Sequence, residues 1–276
     1  MVSRPALLAA TVVIAAALGA VGWHLLSEPA IERAAAQDGP LPLPPMPPRI
    51  TTGLEYDRCL GMLATDPEGA AAIAEAWSKR DGGAGAAHCR ALARIALGEP
   101  ALAAEELEAL GQAPDSAAVA RAVLLFQASE AWLMDGNPAR ALAAATKALD
   151  LAPGDATILI ERATAAALLE RHAEVVADVA LALRADPRRA DALALRAAAL
   201  RHLGREAEAI ADADAALAAE PDNAEALLER GILRQRARND TGARADWERV
   251  IDVAPDSPAA DLARQNLYLL EAGPSR

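Results

Sequence analysis

Two cysteines, Cys59 and Cys89, four histidines and the short acidic run Asp212-Ala213-Asp214 are the residues of this 276-residue chain whose types could do chemistry. The cysteines form neither a CxxC nor a CxxCH pattern, which excludes thioredoxin-like exchange and haem attachment. Without close histidine partners they make a weak metal site. What remains is a disulfide or two small buried thiols that never meet. A bridge closing a loop of that length would contribute about 3–4 kcal/mol in the chain-entropy model. His24, His88, His172 and His202 make no HxxxH or HExxH spacing, and His172 and His202 read as solvated surface. The Asp212-Ala213-Asp214 run lacks the glycine and distal glutamate of an EF-hand loop. There is no GxSxG and no Gly-rich phosphate loop after a strand pattern. The chain is therefore not expected to be an enzyme, and no cofactor, metal or small-molecule substrate is expected.

Composition sets the elements that must carry these residues. Apolar residues make up 53% of the chain but aromatics only 3%, with a single phenylalanine. Strand-based folds need Val, Ile, Phe and Tyr in numbers this chain lacks. Alanine-rich sequence favours helices that approach closely, so the expected class is all-α. A net charge of −12 excludes nucleic acid, whose phosphates reward clustered Lys and Arg.

Ala6 to Leu26 carries no charge. As a helix it would span about 31 Å, roughly a bilayer core. Arg4 lies before it and Glu28 after, so the positive-inside rule keeps the N-terminus in the cytoplasm and sends the rest across. Residues 1–26 are thus read as a transmembrane anchor or, alternatively, as a signal helix cleaved near Gly19 to Gly22 or at Ala34-Ala35-Ala36. Both readings export the remainder, and export fits a disulfide. The expected location is the cytoplasmic (inner) membrane with the following domain in the periplasm; cleavage and release into the periplasm is the alternative. Residues 27–50 form a linker whose Gly39–Pro48 stretch holds six prolines, a stiff polyproline II spacer.

Beyond the linker the chain repeats. Pro153, Pro187, Pro221 and Pro255 are each 34 residues apart. The same shift aligns Leu125, Leu159, Leu193 and Leu227. It also aligns Ser129, Ala163, Ala197 and Gly231, then Ala141, Val175, Ala209 and Ala243. Small residues recur where two helices must come close, and large aliphatics where the hairpin must be filled.

This pattern resembles the tetratricopeptide repeat (TPR), a 34-residue helix-turn-helix with small residues at positions 8, 20 and 27 and proline at 32. Ala190 to Asn223 is the best match. The resemblance implies a right-handed helical solenoid with four repeats, 122–155, 156–189, 190–223 and 224–257. Residues 51–121 read as degenerate repeats and 258–271 as a C-terminal cap, which a solenoid needs over its last apolar face. The turn glycine is kept as Gly136 and Gly204 but replaced by Glu170 and Arg238. Stacked repeats place first helices side by side, which would let Cys59 and Cys89 meet.

The family's partner-binding groove is lined by first-helix positions. Carried onto this chain, they give Phe126, Glu130, Leu133, Ile160, Thr164, Arg201, His202, Leu228, Gln235 and Arg236 as partner-binding candidates. The expected groove is apolar at one end and basic at the other, suited to a peptide carrying carboxylates. The alternative is that Arg201 and Arg236 pair with the chain's own acids. Arg162, Arg196 and Arg230 depart from the usual leucine at position 7. Asp178, Asp212 and Asp246 appear sixteen residues later in the same copies, and both charges are missing from the first copy. Arginine and aspartate that come and go together are expected to form salt bridges Arg162–Asp178, Arg196–Asp212 and Arg230–Asp246. The function expected is protein–protein interaction, as a scaffold, adaptor or assembly factor for an exported or membrane complex. The alternative is a permanent accessory subunit held through the N-terminal helix. The partners expected are a protein or peptide and the membrane.

Overall fold

The computed structural model describes residues 49–114 and 116–272. The membrane helix expected at 1–26 and nearly all of the linker lie outside the described residues. Among the described residues, no helix is long and apolar enough to cross a membrane.

Those residues form thirteen α-helices and no strand. In chain order they are α1 (Leu54–Met62), α2 (Pro67–Ser78), α3 (Gly83–Ala96), α4 (Pro100–Gln112), α5 (Ala118–Met134), α6 (Pro138–Leu151) and α7 (Ala156–Leu168). Then come α8 (His172–Ala182), α9 (Ala190–His202), α10 (Glu206–Ala219), α11 (Ala224–Arg236), α12 (Asp240–Val253) and α13 (Pro258–Ala272). Consecutive helices pair as antiparallel hairpins, α1/α2 through α11/α12, and each first helix also meets the first helix of the next hairpin. Every substantial helix contact joins elements one or two apart in the chain. The helix that opens the first copy begins at Ala118, four residues ahead of the repeat frame, and the last helix runs on to Ala272.

Helix ends follow local chemistry. Pro67, Pro100 and Pro138 occupy first-turn positions, where their missing N–H is not needed. Asp155, Asn223 and Asn239 accept hydrogen bonds from the backbone N–H groups two or three residues on. Between the helices of each hairpin from α3/α4 to α11/α12 the chain turns through one left-handed residue: Gly98, Gly136, Glu170, Gly204 or Arg238. The following N–H then bonds back to a carbonyl five residues earlier, as in Asn137→Trp132, Arg171→Ala166, Arg205→Leu200 and Asn239→Arg234 at 2.8–2.9 Å. Glu170 and Arg238 adopt φ of 58° and 62° where glycine would sit without strain. The turn geometry outlasts the residue that suits it best.

Core layers are filled by the repeated aliphatics, with small residues where helices cross. One layer trades volume between partners. Position 8 reads Ser129, Ala163, Ala197 and Gly231, while position 24 reads Ala145, Val179, Ala213 and Trp247. The smallest residue faces the largest: a Cβ on Gly231 would run into the Trp247 indole. That indole is fully buried, and its Nε1–H donates to the Leu228 carbonyl at 3.4 Å. The cap α13 buries Ala259, Ala260 and Ala263 against the last hairpin and leaves Leu262, Tyr268 and Leu269 exposed.

Cys59 on α1 and Cys89 on α3 form a disulfide with Cα atoms 6.3 Å apart. It joins the first helices of two successive hairpins, both ends fully buried.

Candidate functional site

Two kinds of charged residue line the repeats, and their partners separate structure from surface. Within three hairpins the position-7 arginine on the first helix meets the position-23 aspartate on the second. Arg162 donates to Asp178 through Nε and Nη2, both at 2.7 Å. Arg196 holds Asp212 at 2.6 and 2.8 Å, and Arg230 holds Asp246 at 3.0 and 2.7 Å. Two-pronged contacts of this kind are the strong geometry for guanidinium and carboxylate. The three aspartates are buried, and Asp246 accepts a second guanidinium from Arg234 at 2.8 Å. Each of these arginines is thus paired within its own hairpin, and Arg230 also reaches back to Asp214 on α10 at 3.1 Å.

The first helices α7, α9 and α11 together border a depression of about 320 Å³. Its floor is Ile160, Ala194, Leu195, Ala198 and Leu228, with Thr164 beside them and Asp191, Glu225 and Glu229 around the edge. Of the residues expected to bind a partner, Ile160, Thr164 and Leu228 are brought together here. Phe126 lies one hairpin earlier on α5, half-buried against the core. Leu133 and Gln235 are also half-buried, near the ends of their helices.

The cationic end expected from Arg201 and Arg236 is compensated by the chain itself. Arg201 donates to Glu229 from Nε at 2.5 Å and from Nη2 at 3.1 Å, across the step from α9 to α11. Arg236 meets Glu206 at 3.1 Å on the surface. His202 is exposed, as expected. Its ring stacks on that of His172, centroids 4.3 Å apart, and burial, Arg201 and His172 all push its pKa down. The basic end is thus drawn off into pairs.

Acid is left over instead. Glu130 on α5 and Glu161 on α7 have no cation within salt-bridge distance among the described residues; Glu161 accepts only from the Ser129 hydroxyl, at 3.2 Å. Burial pushes Glu161 up to about 7, and burial plus the charge of Glu161 does the same to Glu130. Two half-buried carboxylates close together resist ionising until something positive arrives. Glu161 and Glu229 escaped the sequence reading because position 6 was not among the groove positions carried over. The signal was present: Gln127, Glu161, Leu195 and Glu229 share that position, and Arg201 precedes Glu229 by 28 residues.

Elsewhere, His88 is fully buried between Tyr56 and Gln127. That polar link between the first three hairpins also went unread in the sequence. No group of three or more metal-ligating side chains occurs among the described residues.

No family model matches the sequence, and no curated protein matches it. The fold is shared with solved TPR proteins. YrrB, a TPR protein with an unusual peptide-binding site, is 18% identical over 71% of this chain and 97% of its own, with a TM-score of 0.54. PilF of Pseudomonas aeruginosa is 18% identical over 77% of this chain and 96% of its own, with a TM-score of 0.61. MamA is 13% identical over 59% of this chain and 93% of its own, with a TM-score of 0.52. At such identities the likeness is one of fold: an all-α TPR-type stack of hairpins.

Proposed function

We propose that the chain is a membrane-anchored periplasmic scaffold or adaptor that holds a segment of a partner protein against its first helices. The observation that carries the reading is the apolar depression bordered by α7, α9 and α11, where successive hairpins leave Ile160, Leu195, Ala198 and Leu228 facing one space. A preformed apolar trough with polar edges suits an extended or helical segment, because little of the groove has to reorder on binding. That YrrB, on the same fold, has a peptide-binding site supports peptide binding by such a stack. The uncharged stretch Ala6–Leu26 supports the anchor, and the Cys59–Cys89 disulfide supports an oxidising compartment.

Site-specific photocrosslinking in the native cell tests the reading. A photoreactive residue at Ala198, in the depression, should give a discrete adduct, whereas one at Ala218, on a second helix, should not. Adducts at Ala218 with none at Ala198 would move binding to the other face.

A further inference from the structure

The groove contains its own template for a missing partner group. Arg201, at position 12 of one copy, reaches forward to Glu229, at position 6 of the next, and the pair is buried to about the same degree on both sides. One hairpin pair earlier, the equivalent acid is Glu161, but the residue in the arginine's place is Leu133. Glu161 is kept, Glu130 stands beside it, and among the described residues no guanidinium pairs with either. Of the cations on the surrounding elements, Arg121 is committed to the Gly111 carbonyl, Arg140 to Glu105 and Glu108, Arg162 to Asp178, Arg196 to Asp212 and Arg201 to Glu229, while Lys147 on α6 pairs with neither carboxylate. His172 is stacked on His202. Glu161 shares α7 with Ile160 and Thr164, which line the apolar depression. A segment that leaves the depression across α7 toward α5 therefore meets Glu161, which bonds Ser129 on α5, and then Glu130.

We propose that the segment held in this groove is basic and apolar: an arginine or lysine side chain of the partner enters between α5 and α7 onto Glu130 and Glu161, while a neighbouring apolar side chain fills the depression over Leu195 and Leu228. The inference rests on the groove being the partner site. It reverses the charge that the family positions imply, since the chain's own arginines there are already paired. Occupation deprotonates the two carboxylates, so binding releases protons at mildly acid pH and tightens as pH rises through neutrality.

The test uses the full-length chain and three fluorescent peptide pools, capped at both ends, with random apolar flanks around a fixed arginine, citrulline or glutamate. At about pH 8 the arginine pool should bind about tenfold more tightly than the other two, and that margin should shrink at about pH 5.5. Calorimetry near neutrality in buffers of different ionisation enthalpy should show net proton release. Glu161→Gln should erase the margin. Leu133→Arg, which rebuilds the Arg201–Glu229 arrangement internally, should abolish arginine-pool binding while the far-UV spectrum stays helical. Equal binding of all three pools, or preference for glutamate, overturns the basic partner and leaves the groove reading standing. Binding by none of the pools removes the groove reading and this inference with it.

Discussion

His88 on α3 and Gln127 on α5 share a hydrogen bond of 2.7 Å sealed from solvent. The other ring nitrogen, Nδ1, lies 2.6 Å from the Tyr56 hydroxyl on α1. With Gln127 Oε1 accepting, Nε2 carries the proton and Nδ1 accepts from tyrosine, so the ring is neutral. Three first helices are thereby tied by one imidazole, and burial pushes its pKa down to about 4.

This makes the N-terminal hairpins acid-sensitive. An unfolded histidine titrates near 6.5, so between there and about pH 4 the unfolded chain binds a proton that the folded chain refuses. Stability contributed by the neutral ring is present above the upper value and falls as pH drops through that window, by about 3 kcal/mol at most. Urea unfolding followed at stepped pH should show this slope in the native chain and lose it in His88→Gln.

Glu130 and Glu161 predict the opposite sign. Their folded pKa values of about 7 lie above the ordinary carboxylate value of 4.5, so their burial costs nothing in acid and an increasing amount as pH rises between the two. The double substitution Glu130→Gln with Glu161→Gln should raise thermal stability at neutral pH by about 1–3 kcal/mol and change little at pH 4. A double variant no more stable at neutral pH would show that these carboxylates are solvated.

The Cys59–Cys89 bridge closes a sequence separation of 30 residues. Replacing both by alanine should cost about 2–4 kcal/mol. The loss should be local, because hairpins in a stack support mainly their neighbours. Hydrogen exchange should quicken in α1–α4 while α9–α12 keep their protection; uniform loss would mean that the array unfolds as one unit.

Gly231 and Trp247 form a matched pair, so their substitutions should not add. Gly231→Ala alone should destabilise by about 1–3 kcal/mol through overpacking, and Trp247→Ala alone by about 3–5 kcal/mol through the cavity it leaves. Together they should cost clearly less than the sum, since the last copy then resembles the third, with Ala197 and Ala213. Strict additivity of the two unfolding free energies would count against the exchange of volume.

Asp246 receives both Arg230 and Arg234, whereas Asp178 receives Arg162 alone. Asp246→Ala leaves Arg234 without its acid and Arg230 with only the exposed Asp214, and should cost about 3–5 kcal/mol, more than Asp178→Ala. Denaturant midpoints of the two variants compare them directly.

Much of this architecture can be read from spacing. A 34-residue period with small residues at helix crossings dictates hairpins, and residues sixteen apart in one copy are brought together by the hairpin itself. Arg196 and Asp212 need no further information. Arg201 and Glu229 do, because they meet across two copies, and the offset between hairpins is a property of packing. The sequence left two readings of Arg201 and Arg236 open for that reason, a basic groove end or pairing with the chain's own acids: position numbers locate an arginine but not the acid that neutralises it. His88 was illegible on other grounds. Its partners come from α1 and α5, the first in a segment where the repeat has drifted and no period points to a neighbour.

Contacts confined to adjacent hairpins give the array the mechanics of a chain of links in series. A load applied through the N-terminal side passes first through α1, and there it meets a covalent bond instead of packing. The loop from Cys59 to Cys89 cannot pay out under tension, so α2 and the start of α3 are shielded from stretching. The first link able to yield lies beyond Cys89, and each 34-residue copy that opens would release roughly 11 nm of chain. The fold thus behaves as a graded extensible series whose stiffest point is its N-terminal end.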